Sequence, residues 1–289
     1  MRLMINRRDA FKRLAVGATA VSVAGSLVRG SANGPATGSR INHSVCRWPY
    51  GSMDLDTFAR KAKALGIESI ELLDPDEIPV VKEHGLTCGM VNAPTSIERG
   101  FNHIDHHGEL QDAYDEYIRK TAVQGVENLI CFSGNRDGLS DAEGIANCVA
   151  GLEPLLPLAE EHGVVIFMEL LNSKVDHPDY HFDHMAFGAE VAARLSSDHF
   201  RLLYDIYHAQ IMEGDVIRTI QDHADIIGHY HTGGVPGRNE IDETQELNYP
   251  AIMRAIADTR FEGWVGQEFM PAADRPLRSL AHAIHLCTV

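Results

Sequence analysis

The chain is predicted to be an α/β protein, a single (β/α)8 TIM barrel, on three observations. Short apolar runs of strand length alternate with helical stretches from residue 41 to the end. Four helix-to-strand joints share one punctuation, Leu65-Gly66-Ile67, His84-Gly85-Leu86, Gln124-Gly125-Val126 and His162-Gly163-Val164, where glycine suits a left-handed helix end. Once an N-terminal leader is set aside, roughly 250 residues remain, the usual size of one such barrel.

The leader is residues 1–32. Arg2, Arg7, Arg8, Lys12 and Arg13 precede an uncharged Ala/Val/Gly-rich stretch and a small-residue site at Gly30-Ser31-Ala32, the order of an export signal. Arg7-Arg8 followed by Asp9-Ala10-Phe11-Lys12 resembles a twin-arginine signal, so the mature protein is expected in the periplasm, without stable membrane insertion. Residues 33–40 form a Gly/Pro/Ser linker and residues 41–289 the barrel. Its eight strands are expected to end near Cys46, Leu72, Met90, Phe132, Glu169, Asp205, His231 and Glu268. Helices are expected over 55–65, 76–84, 110–124, 141–162, 183–195, 216–223, 250–258 and 276–287. Long connections follow the third, fifth and seventh strands (92–109, 172–181 and 232–248), and therefore lie on the face where strands exit.

A formal net charge of −16, more negative still after loss of the leader, opposes binding to nucleic acid and anionic membrane. The five cysteines form no C-x-x-C pair and are expected as small buried hydrophobes. No Walker A loop, G-x-G-x-x-G, H-E-x-x-H or G-x-S-x-G is present, which leaves nucleotide dependence and serine hydrolysis without support.

Chemistry is signalled by Glu169, Asp205, His231 and Glu268, which close the last four apolar runs. A charged side chain is costly inside such a strand but natural at its exit, where it points into a polar mouth. A lone acid there is more often a helix cap or an ion pair. Three carboxylates and an imidazole on successive strands instead suit one hard or borderline divalent cation.

The segments Tyr204-Asp205-Ile206-Tyr207-His208, Met212-Glu213-Gly214 and Gly263-Trp264-Val265-Gly266-Gln267-Glu268 resemble the hydroxypyruvate isomerase group of the xylose-isomerase-like barrels, which also include ketose 3-epimerases. Glu98-Arg99-Gly100 and the loop with Arg238, Glu246, Asn248 and Tyr249 support the resemblance more weakly. It implies that Glu169, Asp205, His231 and Glu268 hold one divalent ion, Mn2+ or Mg2+, with Co2+ or Zn2+ as alternatives. It further implies that Glu169 and Glu268 transfer the proton through an enediolate and that His208 contacts substrate. Arg238, on the loop after His231, is placed to pair with a substrate carboxylate or oxyanion; Asn172 is expected to orient Glu169 or line the pocket. Hydroxypyruvate isomerases tend to carry glutamine where His231 stands, whereas the epimerases carry histidine. His103, His106, His107, His177, His181 and His184 are expected as solvated loop residues.

The resulting expectation is an isomerase or epimerase of a small hydroxy-carbonyl compound, hydroxypyruvate or a free keto-sugar, with homo-oligomerisation left open. The alternative within the same chemistry is a dehydratase or lyase acting on 3-keto sugars or glycosides. A multinuclear DNA-repair nuclease would need a histidine pair in the seventh loop, which holds none. A non-catalytic sugar-binding barrel would not need Glu169 and Glu268 together.

Overall fold

The computed structural model describes residues 40–289; the expected export signal and nearly all of the linker lie outside them. Seven parallel strands are described: β1 (Asn42–Cys46), β2 (Ser69–Glu71), β3 (Asn128–Cys131), β4 (Val165–Glu169), β5 (Phe200–Asp205), β6 (Ile227–Thr232) and β7 (Trp264–Gln267). They form one curled sheet in the order β2-β1-β7-β6-β5-β4-β3, so chain-adjacent strands are neighbours except β2 and β3, which stand at its two edges, while the first strand, β1, pairs with the last, β7.

The expected third strand, ending near Met90, is not a regular strand. Residues 87–91 fill the gap between β2 and β3 by isolated parallel bridges, Ser69 to Thr87, Leu73 to Val91 and Val91 to Leu129. Hydrogen bonds still run to both sides, Leu72 N–H to Met90 O at 2.8 Å and Val91 N–H to Asn128 O at 2.8 Å. The physical reason lies at Gly89, where a Cβ would stand 2.7 Å from Ser69 Oγ and 2.9 Å from Glu71 Oε2. The backbone passes close against buried polar side chains and gives up ladder regularity there.

The helices are α1 (Leu55–Ala64), α2 (Ile78–Glu83), α3 (His107–Val123), α4 (Asp141–Leu152), α5 (Leu156–His162), α6 (Met185–Leu195), α7 (Ile206–Met212), α8 (Val216–Asp222), α9 (Tyr249–Asp258) and α10 (Pro276–Cys287). Sequence patterning merges α4 and α5 into one helix over 141–162. A 3-10 turn, Glu153–Leu155, separates them, because Pro154 and Pro157 cannot donate to a continuous α-helical ladder. Local signals set the starts: Asp54 accepts from Thr57 N–H, and Ser140 with Glu143 makes a reciprocal capping box. The four punctuating glycines all adopt positive φ, as their positions require.

Aliphatic and aromatic side chains fill the space between sheet and helices. The barrel interior is different. Ser44, Ser69, Glu71, His229 and His231 are all buried on the strands, a polar column leading to the strand exits, whereas His43, on the other face of β1, meets Thr288 beyond α10. All five cysteines are free and buried. Among the described residues, no helix is long and apolar enough to cross a membrane.

Candidate active site

Glu169 ends β4, Asp205 ends β5, His231 lies near the end of β6 and Glu268 immediately follows β7. Their parallel register brings the four exits together: Asp205 lies opposite His231, and His231 opposite Gly266. One donor atom from each of the four lies within 4.8 Å of the others, and all four residues are buried. His231 is the centre. Its Nδ1 is 2.9 Å from Glu169 Oε1 and 2.8 Å from Glu268 Oε2, while its Nε2 is 2.8 Å from Glu71 Oε1.

Glu71 is absent from the sequence-derived set. It is fully buried at the end of β2 and takes hydrogen bonds from both His229 Nε2, at 3.0 Å, and His231 Nε2. Burial pushes its carboxyl up, but His229 and His231 prevail and hold it below the usual carboxylate range. Gly266 makes room for this contact, since a Cβ there would lie 2.1 Å from Glu71 Oε1 and 2.9 Å from His231 Cδ2. With Nε2–H committed to Glu71, it is Nδ1 that faces the carboxylates, where it holds a proton against them and could give that proton up to a metal ion, the arrangement that orients a histidine as a metal ligand.

The electrostatics call for positive charge. Burial raises Asp205 to about 7, against the pull of Arg238, and the neighbouring Glu268 and Glu169 add to the rise. Glu169 is raised by burial and by Glu268. Burial also acts on Glu268, yet Arg238 and His231 hold it well below the carboxylate range. Burial lowers His231, but Glu268 above all pulls it well above its ordinary value. Three buried carboxylates sharing one guanidinium and one imidazole fit a divalent cation in donor type and spacing.

Arg238 reaches the site but is already engaged. Its Nη2 donates to Glu268 Oε2 at 2.7 Å and Asp205 Oδ2 at 3.3 Å, and its guanidinium lies over the rings of Trp48 and Tyr207 at 5.2 and 5.5 Å. Its backbone takes φ +56°, a strained choice for a side-chain-bearing residue, secured by Met270 N–H donating to Arg238 O. Trp48, also missed from sequence, donates its indole N–H to Glu268 Oε1 at 2.7 Å.

His208 follows Asp205 in the first turn of α7, which Asp205 caps through the N–H groups of Tyr207 and His208. The Asn172 backbone N–H and side-chain amide both approach His208 Nδ1, at 3.1 and 2.6 Å. Two donors on Nδ1 place the ring proton on Nε2. That nitrogen is buried without a hydrogen-bond partner and lies 3.6 Å from Asp205 Oδ2. Burial, then Arg238, keeps the ring neutral by lowering its pKa well below the ordinary value. Asn172 thus orients His208 rather than Glu169.

The loop histidines divide in a way their sequence positions do not show. His177 lines the site cavity, its ring 5.4 Å from that of His208. His107 and His181 are buried and join loops, His107 to Phe101 O and His181 to Asn102. The cavity, about 460 Å³, is bordered by Trp48, Glu169, Arg238 and Glu268, with Leu72, Phe132 and Leu171 among its apolar surfaces.

A family model described as xylose isomerase-like TIM barrel matches residues 48–284. The chain is 28% identical over 231 residues to a 2-oxo-tetronate isomerase of Cupriavidus necator, covering 76% of this chain and 88% of that protein. It is 27% identical over 238 residues to a hydroxypyruvate isomerase of Escherichia coli, covering 77% and 90%. A solved structure titled AP endonuclease, family 2, from Brucella melitensis superposes with a TM-score of 0.77 at 25% identity, covering 85% of this chain and 99% of that one.

Proposed function

Because the chain belongs to the xylose isomerase-like TIM barrel family, we propose that it is an enzyme of the isomerase/epimerase type that enolises a small hydroxy-carbonyl compound, hydroxypyruvate or a free keto-sugar. Support for the class comes from its hydroxypyruvate and 2-oxo-tetronate isomerase relatives. The observation that carries the mechanism is the convergence of Glu169 and Glu268 on His231 Nδ1 at the wall of one cavity.

Glu169, Asp205, His231 through Nδ1 and Glu268 would hold one divalent cation, Mn2+ or Mg2+ with Co2+ or Zn2+ as alternatives, which when bound supplies the charge that polarises a carbonyl and favours an enediolate. One carboxylate of the Glu169–Glu268 pair takes the proton from the carbon beside the carbonyl. The same or the other carboxylate returns it, to the neighbouring carbon for isomerisation or to the opposite face for epimerisation. His208, held neutral with Nε2–H free, donates to a substrate oxygen. Arg238 and Trp48 fix Glu268 by their hydrogen bonds, so that its carboxylate does not have to reorganise during the reaction. The proposed setting is the periplasm, supported by the Arg7-Arg8 leader.

Proton NMR in D2O on the Mn2+-loaded protein tests this reading. Deuterium should enter a carbon beside the carbonyl with the mass of the product otherwise unchanged, and Glu169→Gln or Glu268→Gln should abolish it. Full exchange in either variant, or exchange untouched by exhaustive chelation, would remove the assignment. Loss of water or of an aglycone would replace isomerisation by elimination.

A further inference from the structure

We infer that Glu240 is the positioning residue for Arg238, pinning the turn that carries the guanidinium to the segment that carries Glu268 from outside the cavity. This rests on the enolisation reading proposed above for what Arg238 serves, but not for what holds Arg238 in place.

The backbone at Arg238 is unfavourable for a residue with a side chain. Gly237 and Arg238 take positive φ in succession, +91° and +56°, and such a turn persists only where its surroundings over-determine it. Part of that support is internal. Gly234 bridges Asn239 in antiparallel fashion, its N–H donating to Asn239 O at 2.9 Å. The turn closes so tightly that a Cβ on Gly234 would stand 2.3 Å from Glu240 O. These contacts make residues 234–240 one closed unit, but they do not fix where it sits against Glu268.

That is fixed by a ladder to the chain leaving β7, in which every second residue makes a rung. Arg238 Nη2 donates to Glu268 Oε2 at 2.7 Å, Met270 N–H donates to Arg238 O at 2.6 Å, and Ala272 N–H donates to Glu240 Oε1 at 2.5 Å. The third rung is anchored further. The same Oε1 accepts from Ser279 Oγ at 2.9 Å, and Ser279 is buried on α10. One oxygen therefore joins the Arg238 turn, the exit of β7 and the start of α10.

Glu240 does not border the cavity and is not among the clustered metal donors, so it acts on the chemistry through Arg238. Without this anchor, an oxyanion that attracts the guanidinium draws the turn along with it and takes Arg238 off Glu268. With it, Arg238 keeps the Glu268 carboxylate in place while charge develops on the substrate, which is what a preorganised site requires. Both bonds to Glu240 end on a single oxygen, so the task needs an acceptor and not a charge.

Hydrogen exchange at Arg238 Nε–H, which is buried without a partner, reads the placement directly. It is followed by NMR on the Mg2+-loaded protein, with proton exchange in D2O from hydroxypyruvate and D-fructose measured on the same variants. Glu240→Ala should speed Arg238 exchange about tenfold and lower kcat/KM about tenfold, whereas Glu240→Gln, which keeps the acceptor oxygen, should hold both within about twofold of wild type. The amide of Ile130, bonded to Val91 across the barrel from β7, should keep its wild-type rate throughout, which a general loosening of the fold would not allow. Unchanged Arg238 exchange or unchanged kcat/KM in Glu240→Ala, matching acceleration at Ile130, or equal damage from Glu240→Gln would each overturn the inference. If Glu240→Ala does not fold, Ser279→Ala decides by removing one donor, with about threefold faster Arg238 exchange in support and no change against. Absence of substrate proton exchange in the wild-type protein would sink the enolisation reading, and Arg238 exchange alone would then decide what holds the guanidinium.

Discussion

His231 is the side chain on which the others at the site depend, and Glu71 is what sets its orientation. Replacing Glu71 with Gln keeps an acceptor oxygen for the two imidazole nitrogens but removes the negative charge that holds them. Loss of such a supporting carboxylate typically costs about 10–100-fold in metal affinity. Glu71→Gln should weaken Mn2+ binding by that order in a titration followed by electron paramagnetic resonance, with the fold intact by circular dichroism. Asp205→Asn should likewise act mainly on metal affinity, because Asp205 lies between α7 and Arg238 whereas Glu169 and Glu268 flank the reacting centre. The four principal residues were legible in the sequence because a charge closing an apolar run is conspicuous. Glu71 was not: Ser-Ile-Glu ends a strand in the same way, but its meaning depends on His229 and His231, some 160 positions away. Arg238 was recognised by position, but its bond to Glu268 was not legible, since that approach depends on a left-handed backbone turn.

The same contrast holds among elements. Seven strands and the starts of most helices followed from apolar runs, caps and glycine punctuation, which are local signals. The segment before Met90 read as a strand because its apolar content is strand-like, and only the crowding around Gly89 shows why its pairing breaks into bridges. The split between α4 and α5 was written in Pro154 and Pro157. Strand β7 carries the sharpest test at this scale. Gly266 faces the barrel interior, and Gly266→Ala would drive a methyl group into the Glu71 carboxylate. Overpacking of this kind costs about 1–3 kcal/mol. A fall in Tm together with weaker Mn2+ binding is therefore expected, whereas an unchanged Tm would show that Glu71 moves aside freely.

For the molecule as a whole, buried histidines make stability depend on pH. Burial lowers His43 from 6.5 to about 4, and His208 is also held neutral by burial. The unfolded chain binds protons at these positions before the folded one does, so stability is fully present above about 6.5 and declines as pH falls toward the folded values. His43 alone accounts for up to roughly 3 kcal/mol across that window. Urea unfolding at stepped pH should show the midpoint falling between pH 6.5 and 4, and His43→Gln should flatten part of the slope. A flat profile in the wild-type protein would contradict the buried, neutral assignment. The acidic composition was legible from sequence, but not the burial of these imidazoles, because His43 is covered by the segment that holds Thr288 and His208 by the one that holds Asn172, neighbours that only folding supplies.

The indole of Trp48, stacked beneath a guanidinium and bonded to the Glu268 carboxylate, is one of only two tryptophans in the chain. The enzyme therefore carries its own optical probe at the mouth of the cavity. Whatever draws Glu268 or Arg238 aside changes the surroundings of that ring, and its emission should respond in intensity or colour. In a Trp264→Phe background the signal would come from Trp48 alone, so that cation loading and ligand entry become two separable titrations read without label, coupling enzyme or turnover.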